Sequence, residues 1–93
     1  MQEIKNIYFN SHFTKNFKSY KRGLNKKQKE KLAEAVDVFK KDCFDSRLKT
    51  HKLGGIMKDL WSFSINYSDR IVFYFLNNSE VLFVDIGDHD DVY

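Results

Sequence analysis

Four side chains in this sequence combine reactive types with suggestive positions: His51, Arg70, His89 and Tyr93. Each lies at or beside the end of a short apolar, aromatic run. Cleaving RNA without a metal takes few parts. A base removes the 2′-hydroxyl proton, a cation stabilises the crowded anionic phosphorane, and an acid protonates the leaving 5′-oxygen. Two histidines and an arginine can fill those roles. His89 sits in the run Gly87, Asp88, His89, Asp90, Asp91, whose carboxylates favour the imidazolium and keep a proton available near neutrality. Plainer readings stand beside these. The tail can be a solvated acidic segment, or Asp85, Asp88, His89 and Asp91 can hold a divalent ion. Arg70 can form a surface salt bridge with Asp69 or Asp85, which would contribute little. Trp61 and Phe63 can be core or hairpin rim rather than base-stacking platforms. There is no glycine-rich phosphate loop, no Cys/His pair at zinc spacing and no serine elbow, so no cofactor and no metal are expected.

The elements that must position these groups are legible from period. Residues 60–67 alternate Trp61, Phe63, Ile65 and Tyr67 with Ser62, Ser64 and Asn66, as a half-buried strand does. Ser68 and Asp69 read as a two-residue hairpin loop. Residues 70–76 are almost wholly apolar and suit a central strand. Asn77, Asn78 and Ser79 make the next turn, since Asn tolerates positive φ, and residues 81–86 form a third strand that Gly87 ends. Upstream, residues 3–10 read as an edge strand. Ser11 caps a first helix with Phe13, Phe17 and Tyr20 in one stripe, and Gly23 closes it. Asn25 restarts the helix with Gln28 as its capping-box partner. This second helix runs to about Cys43 and buries Leu32, Val36, Phe39 and Cys43. Residues 45–58 form a connector without periodicity, with Gly54 and Gly55 for a sharp turn.

The expected fold is α+β: one domain, residues 1–93, with two N-terminal helices on one face of a small, mainly antiparallel four-stranded sheet and the other face open. With a two-residue loop, Tyr67 opposes Arg70, and Arg70 shares a face with Trp61, Phe63 and Tyr74. A longer turn reverses that assignment.

The net charge of +3 is unevenly spread. Residues 1–58 hold 15 Lys/Arg and 6 acids, giving +9; residues 59–93 hold Arg70 and 7 acids, giving −6. Lys26, Lys27, Lys29 and Lys31 crowd the start of the second helix, where the dipole disfavours them. Arg47, Lys49 and Lys52 follow in the connector. This basic half suits nucleic acid or an acidic protein segment, or else is a solvated helical surface. The lone Cys43 allows no intramolecular disulfide and is consistent with a reducing compartment. With no apolar run near the roughly 20 residues of a membrane span and no signal-like segment, a cytoplasmic protein without membrane contact is expected.

Four blocks carry a resemblance: His51, Lys52, Leu53, Gly54, Gly55; then Leu60, Trp61, Ser62; then Asp69, Arg70, Ile71, Val72, Phe73; then the tail from Gly87 to Tyr93. In that order and spacing the chain resembles the RelE/ParE toxin superfamily, most closely the YafQ and YoeB-like mRNA interferases. The resemblance implies a RelE-like microbial RNase fold. It also implies a type II toxin that enters the ribosomal A site, cuts mRNA and is held by a cognate antitoxin. By position, His51 would be the general base, Arg70 the phosphate-stabilising cation, His89 the general acid and Tyr93 the aromatic that orients the RNA. Lys26, Lys27, Lys29, Lys31, Arg47, Lys49, Lys52 and Trp61 would contact RNA or ribosome. Phe63 stands where YoeB-like members carry arginine. The ParE branch, in which the same fold binds DNA gyrase without catalysis, is the alternative, and an inactive antitoxin-binding relative is a third.

Overall fold

A computed structural model describes residues 1–55 and 59–88 of the chain. Local chemistry sets the two helices. Helix α1 spans Ser11–Arg22, and its cap is Asn10 rather than Ser11: the Asn10 side chain accepts from the Phe13 amide at 2.7 Å, while Ser11 is already helical. The shift follows from Asn10 having the extended backbone an N-cap requires, φ −87° and ψ 171°. Gly23 closes α1 at φ −84°, without a left-handed turn, and its amide donates to the last carbonyls of the helix. Helix α2 spans Lys26–Lys41 and begins with the expected capping box. Asn25 Oδ1 accepts from the Gln28 amide at 2.8 Å, and Gln28 Oε1 accepts from the Asn25 amide at 2.9 Å. It ends at Asp42, just short of Cys43.

Among the described residues the sheet has five strands, not four, and is mixed. Its order is β1-β5-β4-β3-β2, with β1 Asn6–Phe9, β2 His51–Lys52, β3 Trp61–Ser64, β4 Asp69–Phe75 and β5 Glu80–Asp88. β1 pairs parallel with β5, because the chain leaves β1 through both helices before it returns; the other neighbours are antiparallel. The additional strand, β2, lies in the connector. Two residues are too few to show a period in sequence. A short 3₁₀ turn, Ser46–Leu48, precedes it, and Lys49 between them takes a left-handed φ of 51°.

Two turns differ from expectation. Between β3 and β4 the loop is longer than two residues, and Ile65 N donates to Asp69 O at 2.9 Å. Asn66 Oδ1 accepts from the Ser68 and Asp69 amides, both at 2.9 Å, and that side chain does the work a tight turn would have done. Between β4 and β5, Asn77 Oδ1 accepts from the Ser79 amide at 2.9 Å, and the described asparagines do not use positive φ. Gly87 does not end β5; it lies inside the strand opposite Arg70.

The longer loop reverses the faces. Ser64 pairs with Arg70, Phe63 with Ile71, Ser62 with Val72 and Trp61 with Phe73. The face under the helices therefore carries Phe63, Ile71 and Phe73, and Arg70 shares the other face with Ser62, Ser64 and Tyr74. Phe39 of α2 stacks on Phe63 at 4.3 Å and meets Phe73 and Phe83 edge-on at 5.1 and 5.6 Å. Phe13 of α1 meets Phe83 at 5.4 Å. Such edge-to-face and offset pairs add to area burial. The outer face is not wholly open, since buried Leu53 and Val72, flanked by Leu60 and Val84, form a second small cluster on it.

Candidate nucleic-acid interface

Arg70 stands at the start of β4 on the face turned away from the helices, between Ser64 on one side and Gly87 on the other. Both neighbours are small, so the guanidinium stem has room. It enters a cavity of about 730 Å³ lined also by Lys31, Arg47, Lys49, Ser64, Asn66, Ser68 and Asp88. A second cavity of about 530 Å³ continues along α2 and the 3₁₀ turn, sharing Lys31, Arg47, Ser64 and Ile65 with the first and adding Lys27 and Glu34. Together they make a groove from the flank of α2 to Arg70, whose walls carry Lys27, Lys31, Arg47 and Lys49 as well as the acids Glu30, Glu34 and Asp88, with short hydroxyl and amide side chains at its arginine end. A polyanion with hydrogen-bonding edges fits such a groove.

Arg47 is held in place by its own loop. Its Nε donates to Asp45 Oδ1 at 2.9 Å and its terminal nitrogen donates to Oδ2 at 3.0 Å. That fork, with the Arg47 amide also donating, lowers the Asp45 carboxyl to about 2. Fork geometry of this kind leaves other guanidinium donors for a phosphate.

His51 lies on β2 opposite Ser62, so it is on the Arg70 face, and it is exposed. Its Nδ1 is 3.0 Å from the Lys49 carbonyl oxygen. A carbonyl only accepts, so Nδ1 donates in this contact, and in the neutral ring the lone pair then lies on Nε2. That tautomer is the one a general base needs. The left-handed turn at Lys49 brings the carbonyl there.

His51 lines neither part of the groove, and the remaining sequence-derived candidates scatter. Lys29 turns into a separate furrow between α1 and α2, beside Phe17, Lys21 and Lys40. Lys26 and Lys52 are exposed and line neither part of the groove. Trp61 sits on the helix side, edge-on to Phe75 at 5.2 Å and to Phe44 at 5.7 Å. Phe63 is 1% exposed in the core, so it is not beside Arg70 at all. His89 and Tyr93 lie outside the described residues. Among the described residues no group of three or more His, Cys, Asp or Glu could hold a metal ion. Asp85, one of the four residues considered for a divalent ion, is bound by α1. Asn16 Nδ2 donates to its Oδ1 at 2.9 Å, and His12 Nε2 lies 3.4 Å from Oδ2.

Sequence reasoning passed over the network behind Arg70. The Tyr20 hydroxyl of α1 donates to Asp69 Oδ2, to which Asn66 Nδ2 also donates at 3.1 Å; Ser68 Oγ donates to Oδ1 at 3.2 Å. Burial, and then the Asp69 carboxylate, push the Tyr20 hydroxyl well above its ordinary range, so it remains a donor. The signal that could have found it is the i, i+4, i+8 spacing of His12, Asn16 and Tyr20, a polar stripe on a helix otherwise read for its phenylalanines.

Solved structures of small bacterial toxins share this architecture. The chain is similar to the YoeB/ParE toxin from Agrobacterium tumefaciens, with a TM-score of 0.72 and 17% identity, covering 91% of this chain and 99% of that one. It is similar to YafQ from E. coli strain BL21(DE3), with a TM-score of 0.69 and 16% identity, covering 94% and 96%. A chain of the E. coli DinJ-YafQ toxin-antitoxin complex matches with a TM-score of 0.67 and 15% identity over 100% and 99%. At these identities the likeness is one of fold. No curated protein sequence matches the chain. Residues 5–93 match the family described as bacterial toxin of type II toxin-antitoxin system, YafQ, and the chain belongs to that family.

Proposed function

We propose that this protein is a ribosome-dependent mRNA endonuclease that acts in the cytoplasm and is held inactive by a cognate antitoxin. The observation that carries the reading is the placement of Arg70 in a basic groove with Lys31, Arg47 and Lys49. Family membership supports the class, and the DinJ-YafQ complexes support an antitoxin as partner. In the proposed reaction His51 Nε2 removes the proton from a 2′-hydroxyl. The 2′-oxygen attacks phosphorus and the bond to the 5′-oxygen breaks. Arg70 stabilises the charge on the phosphorane, and His89 gives its proton to the departing 5′-oxygen. The products are a 2′,3′-cyclic phosphate and a 5′-hydroxyl, with no divalent ion in the step. Tyr93 orients the RNA, and the groove lysines hold the strand.

Inducing the protein in a bacterium and following mRNA and DNA together tests this. Rapid loss of translated mRNA is the expected result. An SOS response with intact mRNA would overturn it in favour of a gyrase poison.

A further inference from the structure

The turn between β3 and β4 holds one residue that the turn itself does not need. Asn66, Ser68 and Asp69 are types that a tight connection favours, and all three are used in it. Asn66 Oδ1 accepts from the Ser68 and Asp69 amides, both at 2.9 Å, and Asn66 Nδ2 donates to Asp69 Oδ2 at 3.1 Å. Ile65 N closes the base of the turn on Asp69 O at 2.9 Å. Tyr67 stands among them fully exposed, and its side chain makes no hydrogen bond or ring contact with any described residue. A single exposed tyrosine is ordinary on a protein surface. The place of this one is not, because it lines the 730 Å³ cavity together with Lys31, Arg47, Lys49 and Arg70. The other exposed aromatic rings are differently placed. Phe9 stacks on Phe13, Phe44 packs against Trp61 and Phe75, Tyr8 donates to Glu80, and Tyr74 lines no part of the groove.

We propose that Tyr67 is a base-stacking platform for the groove, taking the face of a nucleobase in a single strand of RNA whose phosphates lie along Lys31, Arg47, Lys49 and Arg70. Tyr67 and Arg70 are three residues apart in sequence, so their Cα atoms are separated by at most about 11 Å. Both are thus within reach of neighbouring nucleotides of one strand. The hydrogen-bonded turn fixes the root of the side chain on both sides, and tyrosine has only two side-chain torsions to order. Little freedom is lost when a base settles on the ring. A duplex keeps its bases stacked on one another and offers no free face, so the platform favours single strands. Every base has a π-face, so the contact holds the strand without choosing its sequence. The inference rests on the RNA reading of the groove and deepens it. The stacking role expected of Trp61 falls to Tyr67, since Trp61 is engaged on the helix side.

Two probes of equal length test this: a short single-stranded oligouridylate, and the same ribose–phosphate chain without bases. Each is titrated at several salt concentrations against wild type, Tyr67→Phe, Tyr67→Leu and Lys31→Gln. Tyr67→Leu should weaken oligouridylate binding about tenfold or more, leave the abasic strand unchanged and keep the wild-type salt dependence. Tyr67→Phe should bind like wild type, because the ring and not the hydroxyl makes the contact. Lys31→Gln should weaken both strands and flatten the salt dependence by about one phosphate. Tyr67→Trp should add fluorescence that the oligouridylate quenches and the abasic strand does not, above the background of Trp61. A Tyr67→Leu protein that binds oligouridylate like wild type, or loses both strands equally, would overturn the inference. So would a wild type with no preference for the strand that carries bases. Loss of antitoxin binding in Tyr67→Leu, with RNA binding intact, would overturn it in favour of a protein contact. Cleavage is judged apart from this: a protein with the expected binding pattern that leaves ribosome-bound mRNA intact keeps the platform and loses the nuclease reading.

Discussion

Ser64 stands directly across from Arg70 on adjacent strands, and the neighbouring pair is Phe63 with Ile71. One step along β3 thus separates the groove from the core. Phe63 is 1% exposed, whereas Ser64 is half-buried on the groove wall.

That register makes a sharp comparison possible. Phe63→Arg should unfold the protein or cost more than about 4 kcal/mol, because it buries an unpaired cation and leaves a hole against Phe39. Ser64→Arg should fold, and in the proposed function it should strengthen RNA binding by adding a cation beside Arg70. Denaturant titration of both variants checks the first half, and filter binding of a short RNA checks the second. A stable Phe63→Arg protein would mean the strand faces the other way.

In the proposed reaction, His51 should reveal itself in the acid limb of activity. A base works only when deprotonated, so wild-type cleavage should decline as pH falls, and His51→Ala should lose both rate and that limb. His89→Ala should instead lower cleavage by roughly 10²–10⁴-fold and remove the alkaline limb, as for a proton donor. Cleavage of ribosome-bound mRNA across a range of about pH 5.5 to 8.5, bracketing the ordinary imidazole pKa, separates the two roles. Two histidines that merely bind phosphate would both lose function as pH rises.

The Asp45–Arg47 fork predicts a particular acid sensitivity. Asp45 has its folded pKa held at about 2, below the unfolded carboxylate value, so its contribution is present above the unfolded pKa and lost as pH falls through about 2. Asp42, bound by the Gln2 and Phe44 amides, and Glu80, bound by Asn77, Asn6 and Tyr8, are lowered in the same direction. Melting temperature should therefore fall as the medium is taken from about pH 4.5 toward pH 2. Asp45→Asn should lower it at neutral pH and flatten that slope. A wild-type protein equally stable at both ends would count against these pairings.

Cys43 is fully buried, and burial, followed by the Asp42 charge, pushes its thiol up to about 11. A thiol reagent at neutral pH should modify it only as fast as the protein opens. Labelling should accelerate with denaturant in step with unfolding. Immediate stoichiometric labelling of the native protein would contradict the placement.

What could be read beforehand depended on how far a signal reaches along the chain. The capping box of Asn25 and Gln28 was legible because both partners lie within four residues. So was the stripe of Leu32 and Phe39. The strand register was not, because it turns on whether Asn66 caps its own loop, and a shift of one residue moves Arg70 from one face to the other. β2 was invisible because two residues carry no period, although His51 itself stood out by its type. Tyr20 was counted with the phenylalanines of its helix; its true partner Asp69 lies 49 positions away, and no local pattern announces such a pairing. The split of the lysine cluster, with Lys31 in the groove and Lys29 behind it, follows from helical rotation once the neighbours are known.

The parallel pairing of β1 with β5 has a consequence for when this molecule becomes complete. Asn6 finds its cross-strand partner only at Glu80, and Phe9 at Phe83. Closure of that long loop comes late, since its entropy is lost before the contacts form. During synthesis α1 and α2 can form early, but β4 has no β5 to shield it until residues 80–88 have emerged. A nascent chain therefore lacks a finished groove around Arg70 until β5 is free to dock beside β4.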